Sequence, residues 1–286
     1  MAHNLQEKYS NLVDMKLRKT LVTQDNLIFN NRYEGDPAAG VVNIPVRDME
    51  VVVEDYNKAN GMSAKEGGTT YLKLSLDNDI AVNELIDGYD AAAVPDGIVA
   101  ERLDSAGYSL SQVVDARSIT ALEKAQDINV AKLKTATAEG KAYEEVLKAM
   151  SALTRAGVPQ DGRWLIASPE FYAMLLNTPQ FVKVTDPSSA LDDVGIVGTV
   201  AGFAVCVSNG LAFEDNTLVS GKKTTTEFIA GHSNWCHRVM AWQKPVALQD
   251  LSGSGTYIGA SVVQGRYVFG VKVSKGKALY TKRIEA

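Results

Sequence analysis

Residues 152–176 read ALTRAGVPQDGRWLIASPEFYAMLL. The run that leads into them, Tyr143 to Arg155, carries Val146, Leu147, Met150 and Leu153 at three- and four-residue spacing, the mark of an amphipathic helix. Gly157 supplies the left-handed position that closes such a helix, and Pro159 prevents it from continuing. Arg163-Trp-Leu-Ile-Ala167 is a short, uninterrupted apolar run and predicts a buried strand. Ser168 before Pro169 is an N-cap followed by proline at the first helical position, so Phe171 to Leu176 completes a short helix. Helix, turn, buried strand, cap and helix in immediate succession predict a mixed α and β unit around this stretch.

Working towards the N-terminus, Pro95-Asp96 opens a short helix that ends near Gly107. Ser109 and Gln112 then form a capping box that leads a second helix, extending to about Leu133. Before these helices, Val41 to Val53 is rich in β-branched residues, with Pro45 placing it at a sheet edge. A polar stretch, Glu54 to Gly68, separates it from Thr69 to Leu76, where Leu72, Leu74 and Leu76 alternate with Tyr71, Lys73 and Ser75. The two segments predict a long hairpin with a hydrophilic tip. A lone two-stranded ribbon is marginal in water, so its leucine stripe packs either on its own core or across a neighbouring molecule. Residues 1–34 read as an extended or helical arm, broken off by Gly35-Asp-Pro-Ala-Ala-Gly40.

Working towards the C-terminus, Val194 to Phe213 is 20 residues without a charge. Ser208-Asn209-Gly210 interrupts it, and Phe203, Val205 and Val207 alternate with Ala204 and Cys206, so strands are expected here and no membrane span. Beyond Gly195 the chain reads mostly as short β segments, ending in Gly265 to Ser274 and Lys277 to Thr281. Strands, long helices, a mixed unit and strands again make the fold class α+β.

The composition is that of a folded globular chain: 45% hydrophobic and 22% charged residues exclude disorder and fibrous repeats. Cys206 and Cys236 are too few for a disulfide framework and suggest a reducing interior, and the N-terminus lacks the apolar segment of a secretory signal. Net charge is −5, but residues 36–118 carry −9 and residues 241–286 carry +5. That asymmetry suits contact between oppositely charged surfaces of two subunits, or a face turned to a polyanion, or simply an unevenly solvated surface.

No motif for catalysis emerges. His232, Cys236 and His237 lie close in sequence, but their spacing fits no structural zinc pattern, and no metal or other cofactor is expected. Ser252, Ser254 and His232 lack a nucleophile elbow. The glycines of Gly265 to Lys272 and of Gly253 to Gly259 fit neither a phosphate loop nor a dinucleotide fingerprint. Nucleic-acid recognition modules are missing, and Lys272, Lys275, Lys277, Lys282 and Arg283 read as an exposed strand edge and tail.

In order, these segments resemble the major capsid protein of tailed bacteriophages of the Hong Kong 97 type. The most specific stretch is residues 152–176, similar to the family's helix, Gly-Val-Pro…Gly-Arg, strand, Ser-Pro and helix. Gly195 to Ser208, Ala241 to Val246 and Gly265 to Val273 agree with strands that follow in the family. The resemblance implies an N-terminal arm at 1–34, an extended loop at 35–80, a spine helix region with part of a peripheral domain at 81–140, an axial domain at 141–232 and return strands of the peripheral domain at 233–286. It implies a non-enzymatic subunit that assembles with many copies of itself, as hexamers and pentamers, into an icosahedral shell around double-stranded DNA. DNA contact would be non-specific, and scaffolding, portal and decoration proteins would be further partners. Assembly in a host cytoplasm and residence in the virion follow. On this reading the ribbon crosses an adjacent subunit, with Leu72, Leu74, Leu76, Val51 and Val53 as inter-subunit contacts. Lys58, Lys65 and Lys73 are ordinary solubilising residues, and no cross-link is expected. Two alternatives are a cellular nanocompartment shell of the same fold, which would package protein, and an unrelated α+β enzyme built on the His232/Cys236/His237 cluster.

Overall fold

The computed structural model describes residues 16–23, 26–36, 38–46, 53–58, 68–89, 98–125, 133–179, 181–183, 196–211, 223–251 and 257–285. It is a mixed helix and sheet fold. Strands β1 (Val41–Val46) and β2 (Thr70–Ser75) pair antiparallel as a ribbon. Strand β3 (Asn78–Ile86) precedes a long helix, α1 (Ile98–Lys124), and then α2 (Ala142–Arg155). After these come β4 (Arg163–Ala167), α3 (Pro169–Leu176), β5 (Val182–Lys183), β6 (Ile196–Val200), β7 (Phe203–Val207) and β8 (Thr224–His232). The chain closes with β9 (Cys236–Asp250), β10 (Ser261–Val273) and β11 (Tyr280–Glu285). One sheet has the order β3-β10-β9 and a larger one β11-β8-β4-β7-β6-β5.

The 152–176 stretch builds the centre of the larger sheet. Helix α2 ends with Gly157 N–H on the Thr154 carbonyl and Val158 N–H on the Leu153 carbonyl, both at 3.0 Å. Gly157 has φ +77°, the left-handed value this ending requires. Strand β4 is buried at every position, parallel to β7 and antiparallel to β8. The buried Arg163 explains why the loop before it has its particular residues. Its guanidinium donates to the carbonyls of Val158 (2.6 Å) and Pro159 (2.7 Å) and to Thr154 Oγ1 (3.1 Å), tying the loop to the end of α2. Ser168 Oγ accepts from Phe171 N–H at 3.2 Å, with Pro169 opening α3. Phe171, Leu175, Leu153, Val146, Phe203 and Phe228 close the core on this side of the sheet.

Helix α1 differs from the two helices expected here. It passes through Gly107 and Ser109 without a break, so Ser109 is no N-cap. Burial outweighs the local signals. Leu103, Ala106, Leu110 and Val114 pack on Ile80, Ile86, Val263 and Phe269 of the three-stranded sheet, against a cost of about 1 kcal/mol for an interior glycine. The helix ends at Lys124, short of the expected end near Leu133: Ala125 and Leu133 are not helical, while residues 126–132 and the expected start at Pro95 fall outside the described residues. At about 40 Å the helix outruns one sheet. Its last turns carry Ile119 and Leu122 into a second cluster with Trp164, Ile166 and Ile229 of the larger sheet. One helix therefore braces both sheets.

Residues 233–286, expected to return together, divide between the sheets. Strands β9 and β10 complete the three-stranded sheet, whereas β11 pairs with β8 at the edge of the six-stranded one.

Candidate functional site

Four features follow from this architecture: the ribbon, the arm, the His232/Cys236/His237 cluster and a buried C-terminal charge network. In the ribbon, Val42 lies opposite Leu74, Ile44 opposite Leu72, and Val46 opposite Thr70. Leu74 is 0% exposed, and with Ile44 it packs on Val239 of β9, while Leu72, Leu76, Val42, Val46 and Tyr33 surround them half-buried. The ribbon can lie this close because β10 offers Gly270: a Cβ there would stand 2.5 Å from Leu74 Cδ2 and 2.4 Å from the Ser75 carbonyl oxygen. The leucine stripe expected to meet a neighbour thus faces its own chain. Leu74 has no surface left to offer, and Leu72 and Leu76 offer only part of theirs. The alternation of the strand sends Tyr71 (67% exposed), Lys73 and Val41 to the opposite face. Val53 is 92% exposed and Tyr56 is also exposed, whereas Val51 lies outside the described residues.

The arm follows α1. Lys16 pairs with Glu101 and Arg18 with Asp104; Arg18 also lies 5.0 Å over the Tyr108 ring. Asp115 then accepts from Val22 N–H (3.1 Å), Thr23 N–H (2.8 Å) and Thr23 Oγ1 (2.8 Å). Residues 101, 104, 108 and 115 recur at helical spacing, so one stripe of α1 carries the whole track. Val22 and Thr23 are buried, and so are Ile28, Phe29 and Asn30, with Ile28 and Phe29 in the core of the larger sheet. Asn30 fixes its end: its N–H donates to the Cys236 carbonyl (2.9 Å), its carbonyl accepts from Arg238 N–H (3.2 Å), and its amide reaches Ser233 and His237.

The His232/Cys236/His237 cluster has other work. His232 accepts at Nδ1 from Asn234 N–H (3.1 Å), so its Nε2–H donates to the Asp161 carbonyl (2.7 Å), and its ring meets Trp235 edge-on. His237 Nδ1 donates to Asn30 Oδ1 at 2.9 Å. Burial, with Arg32 nearby, pushes its imidazolium down to about 4. Burial raises the Cys206 thiol to about 12 and the Cys236 thiol further, which leaves neither as a thiolate nucleophile near neutral pH. Among the described residues no group of three or more His, Cys, Asp and Glu is placed to hold a metal ion, and no helix is long and apolar enough to cross a membrane.

The C-terminal basic stretch is the clearest correction. Lys282 is 1% exposed and Arg283 3%, far from a solvated tail. Lys282 Nζ reaches Glu145 Oε2 of α2 (2.9 Å), Glu227 Oε2 of β8 (3.2 Å) and Thr137 Oγ1 (2.6 Å), which uses all three of its protons. Arg283 pairs with Glu123 of α1 at 3.0 Å and donates to Thr224 Oγ1 at 2.9 Å. The register slips here: Lys282 faces Phe228 and Arg283 faces Thr226, so Glu227 is the extra residue of a bulge. Its carboxylate accepts from Thr137 N–H at 2.9 Å. Lys134 covers the Tyr280 ring at 3.4 Å and donates to the Thr281 carbonyl at 2.9 Å; burial, with Lys282 close by, pushes its ammonium down to about 8. Burial works against the Glu145 carboxylate, but hydrogen bonds from Lys148 and Lys282 outweigh it and hold the group below its usual range.

Solved phage capsid structures share this architecture. The chain aligns with a protein of Mycobacterium phage Che8 at a TM-score of 0.72 and 21% identity, covering 97% of this chain and 96% of that one. It aligns with the capsid structure of the cyanophage P-SCSP1u at 0.73 and 13% identity, covering 96% and 91%. For the mature capsid of bacteriophage PhiM1 the values are 0.69 and 14%, covering 98% and 91%. No curated protein sequence matches. A family model described as phage capsid protein matches residues 88–281, well over half the chain, from before α1 into β11. The family and the fold together point to a structural, non-enzymatic protein, and the chain belongs to the phage capsid protein family.

Proposed function

We propose that many copies of this chain assemble as hexamers and pentamers into an icosahedral tailed-phage shell that encloses double-stranded DNA, with assembly in a host cytoplasm. In this reading the three-stranded sheet and α1 form the peripheral domain, and the six-stranded sheet with α2, α3 and β11 forms the axial domain. The observation that carries the reading is the ribbon, whose inner face is sealed on its own chain while Val41 and Tyr71 stand exposed on the outer face and Val53 beyond it. Such an apolar surface on a two-stranded element suits burial by the next subunit in a head-to-tail ring. At about 25 cal/mol per Å², even a few hundred Å² per contact gives a stable closed shell when every subunit repeats it. Of the expected inter-subunit contacts, Val53 keeps its place in this reading, Tyr71 and Val41 join it, and Leu72 and Leu76 contribute only their half-exposed edges. Scaffolding, portal and decoration proteins are the further partners such a shell would take, and its contact with DNA would be electrostatic and non-specific.

Expression of the chain, alone and with candidate scaffolds, followed by electron microscopy tests the reading. Closed particles of megadalton mass are expected. A species that stays monomeric or dimeric under all assembly conditions would overturn it, and shells that hold protein in place of DNA would turn it towards the nanocompartment alternative.

A further inference from the structure

Lys282 and Arg283 are neighbours on one strand, yet their charges leave in different directions. Lys282 goes to α2 and β8 through Glu145 and Glu227, and Arg283 goes to the end of α1 through Glu123. Helix α1 is the element that braces the three-stranded sheet against the six-stranded one. The dipeptide therefore sits where the relative orientation of the two sheets is decided. Apolar packing between Ile119, Leu122, Trp164 and Ile229 already holds this junction together, but such packing is non-directional. The Arg283 guanidinium is fixed in direction by its hydrogen bond to Thr224 Oγ1 and stands 3.0 Å from the Glu123 carboxylate as an ion pair, so a slip of the helix by a fraction of a turn would leave both charges buried without partners. The segment before α2 is clamped to the same strand, since Lys134 N–H donates to the Arg283 carbonyl at 2.9 Å. Buried ion pairs of this kind add little net stability over apolar residues of the same volume; their distinctive contribution is specificity of arrangement.

We propose that Arg283 and Lys282, with Glu123, Glu145 and Glu227, are positioning residues for assembly: they hold the angle between the two sheets and so the curvature of the shell. This rests on the shell reading above. Substituting both members of the α1 pair, Arg283→Met with Glu123→Leu, removes the ion pair while filling its space. The expected result is a subunit with an unchanged urea midpoint that assembles into particles of mixed diameter or into tubes, measured by electron microscopy beside the unaltered chain. Particles as uniform as those of the unaltered chain, and of the same diameter, would overturn the proposal. If the double variant does not fold, Arg283→Lys takes its place. It keeps the charge and gives up the planar fork, so a broadened diameter distribution supports the proposal and an unchanged one overturns it. An unaltered chain that forms no closed particle would count against the shell reading itself, which separates the two failures.

Discussion

Replacing Leu74 separates the two uses to which the ribbon's faces are put. Its side chain is fully buried, with Ile44 and Val239 around it and the backbone of β10 at Gly270 beneath it. Leu→Ala substitutions in such settings cost about 2–5 kcal/mol, depending on how far the surroundings collapse. Backbone on one side cannot move into the space, which argues for the middle of that range, about 3 kcal/mol. A ribbon joined to the body through one small cluster opens locally before the whole chain unfolds. Amide hydrogen exchange in β1 and β2 of the unassembled subunit is therefore the assay. About 3 kcal/mol corresponds to roughly a hundredfold faster exchange in Leu74→Ala, with α2 and β4 unaffected. Tyr71→Ser is the complement, because Tyr71 is 67% exposed on the other face. It should leave exchange in the isolated subunit unchanged and weaken assembly. Unchanged exchange in Leu74→Ala, together with lost assembly, would refute the reasoning and place the stripe back at the contact with a neighbour.

Two further outcomes follow from groups inside the fold. His237 is neutral when folded, with its imidazolium pushed down to about 4 from 6.5. The stability tied to the neutral ring is thus fully present above pH 6.5 and is lost as pH falls towards 4, by on the order of 2 kcal/mol after allowing for solvent screening; urea midpoints between pH 7 and 4.5 should fall less steeply in His237→Gln. Ser168→Ala removes the cap of α3 and should cost about 1 kcal/mol in urea unfolding, with Ser168→Asp restoring most of it.

What could be read from the residues beforehand was local. Gly157, Pro159 and Pro169 act through their own backbone and Ser168 through its hydroxyl, all within four residues, so the end of α2, the turn, β4 and the start of α3 followed from neighbours in sequence. Strand β3 has only a weak signature, since Ile80, Val82, Glu84 and Ile86 alternate with Asp79, Ala81, Asn83 and Leu85, and Asp, Asn and Glu mask the alternation. Gly107 and Ser109 gave local signals that were correct as propensities and lost to burial of α1 against a sheet whose other strands are more than a hundred residues away. The ribbon was visible as two strands, but the face it buries depends on Val239 and Gly270, which no window around Leu74 contains. For the same reason the packing of Leu74 against its own chain was not legible in the stripe.

Charge was the least legible property, and its arrangement gives the uneven sequence distribution a physical sense. The basic residues of the arm, Lys16 and Arg18, meet Glu101 and Asp104 of the acidic 36–118 segment. From the basic 241–286 segment, Arg266 meets Asp79, Lys282 meets Glu145 and Glu227, and Arg283 meets Glu123. Both basic ends therefore close on acids from the middle of the same chain. The exposed pairs among these contribute little stability, but the buried ones specify which end goes where, since a mispaired buried charge is costly. A block of one sign at a chain end, read alone, suggests an external polyanion. Here the opposite block is internal and far away in sequence, and Lys282 and Arg283 meet acids inside the fold while Lys272 and Lys277 stay exposed. Of the two buried cations on β11, Arg283 ties the strand to α1 and Lys282 ties it to α2 and β8, so neither charge is spent on solvent.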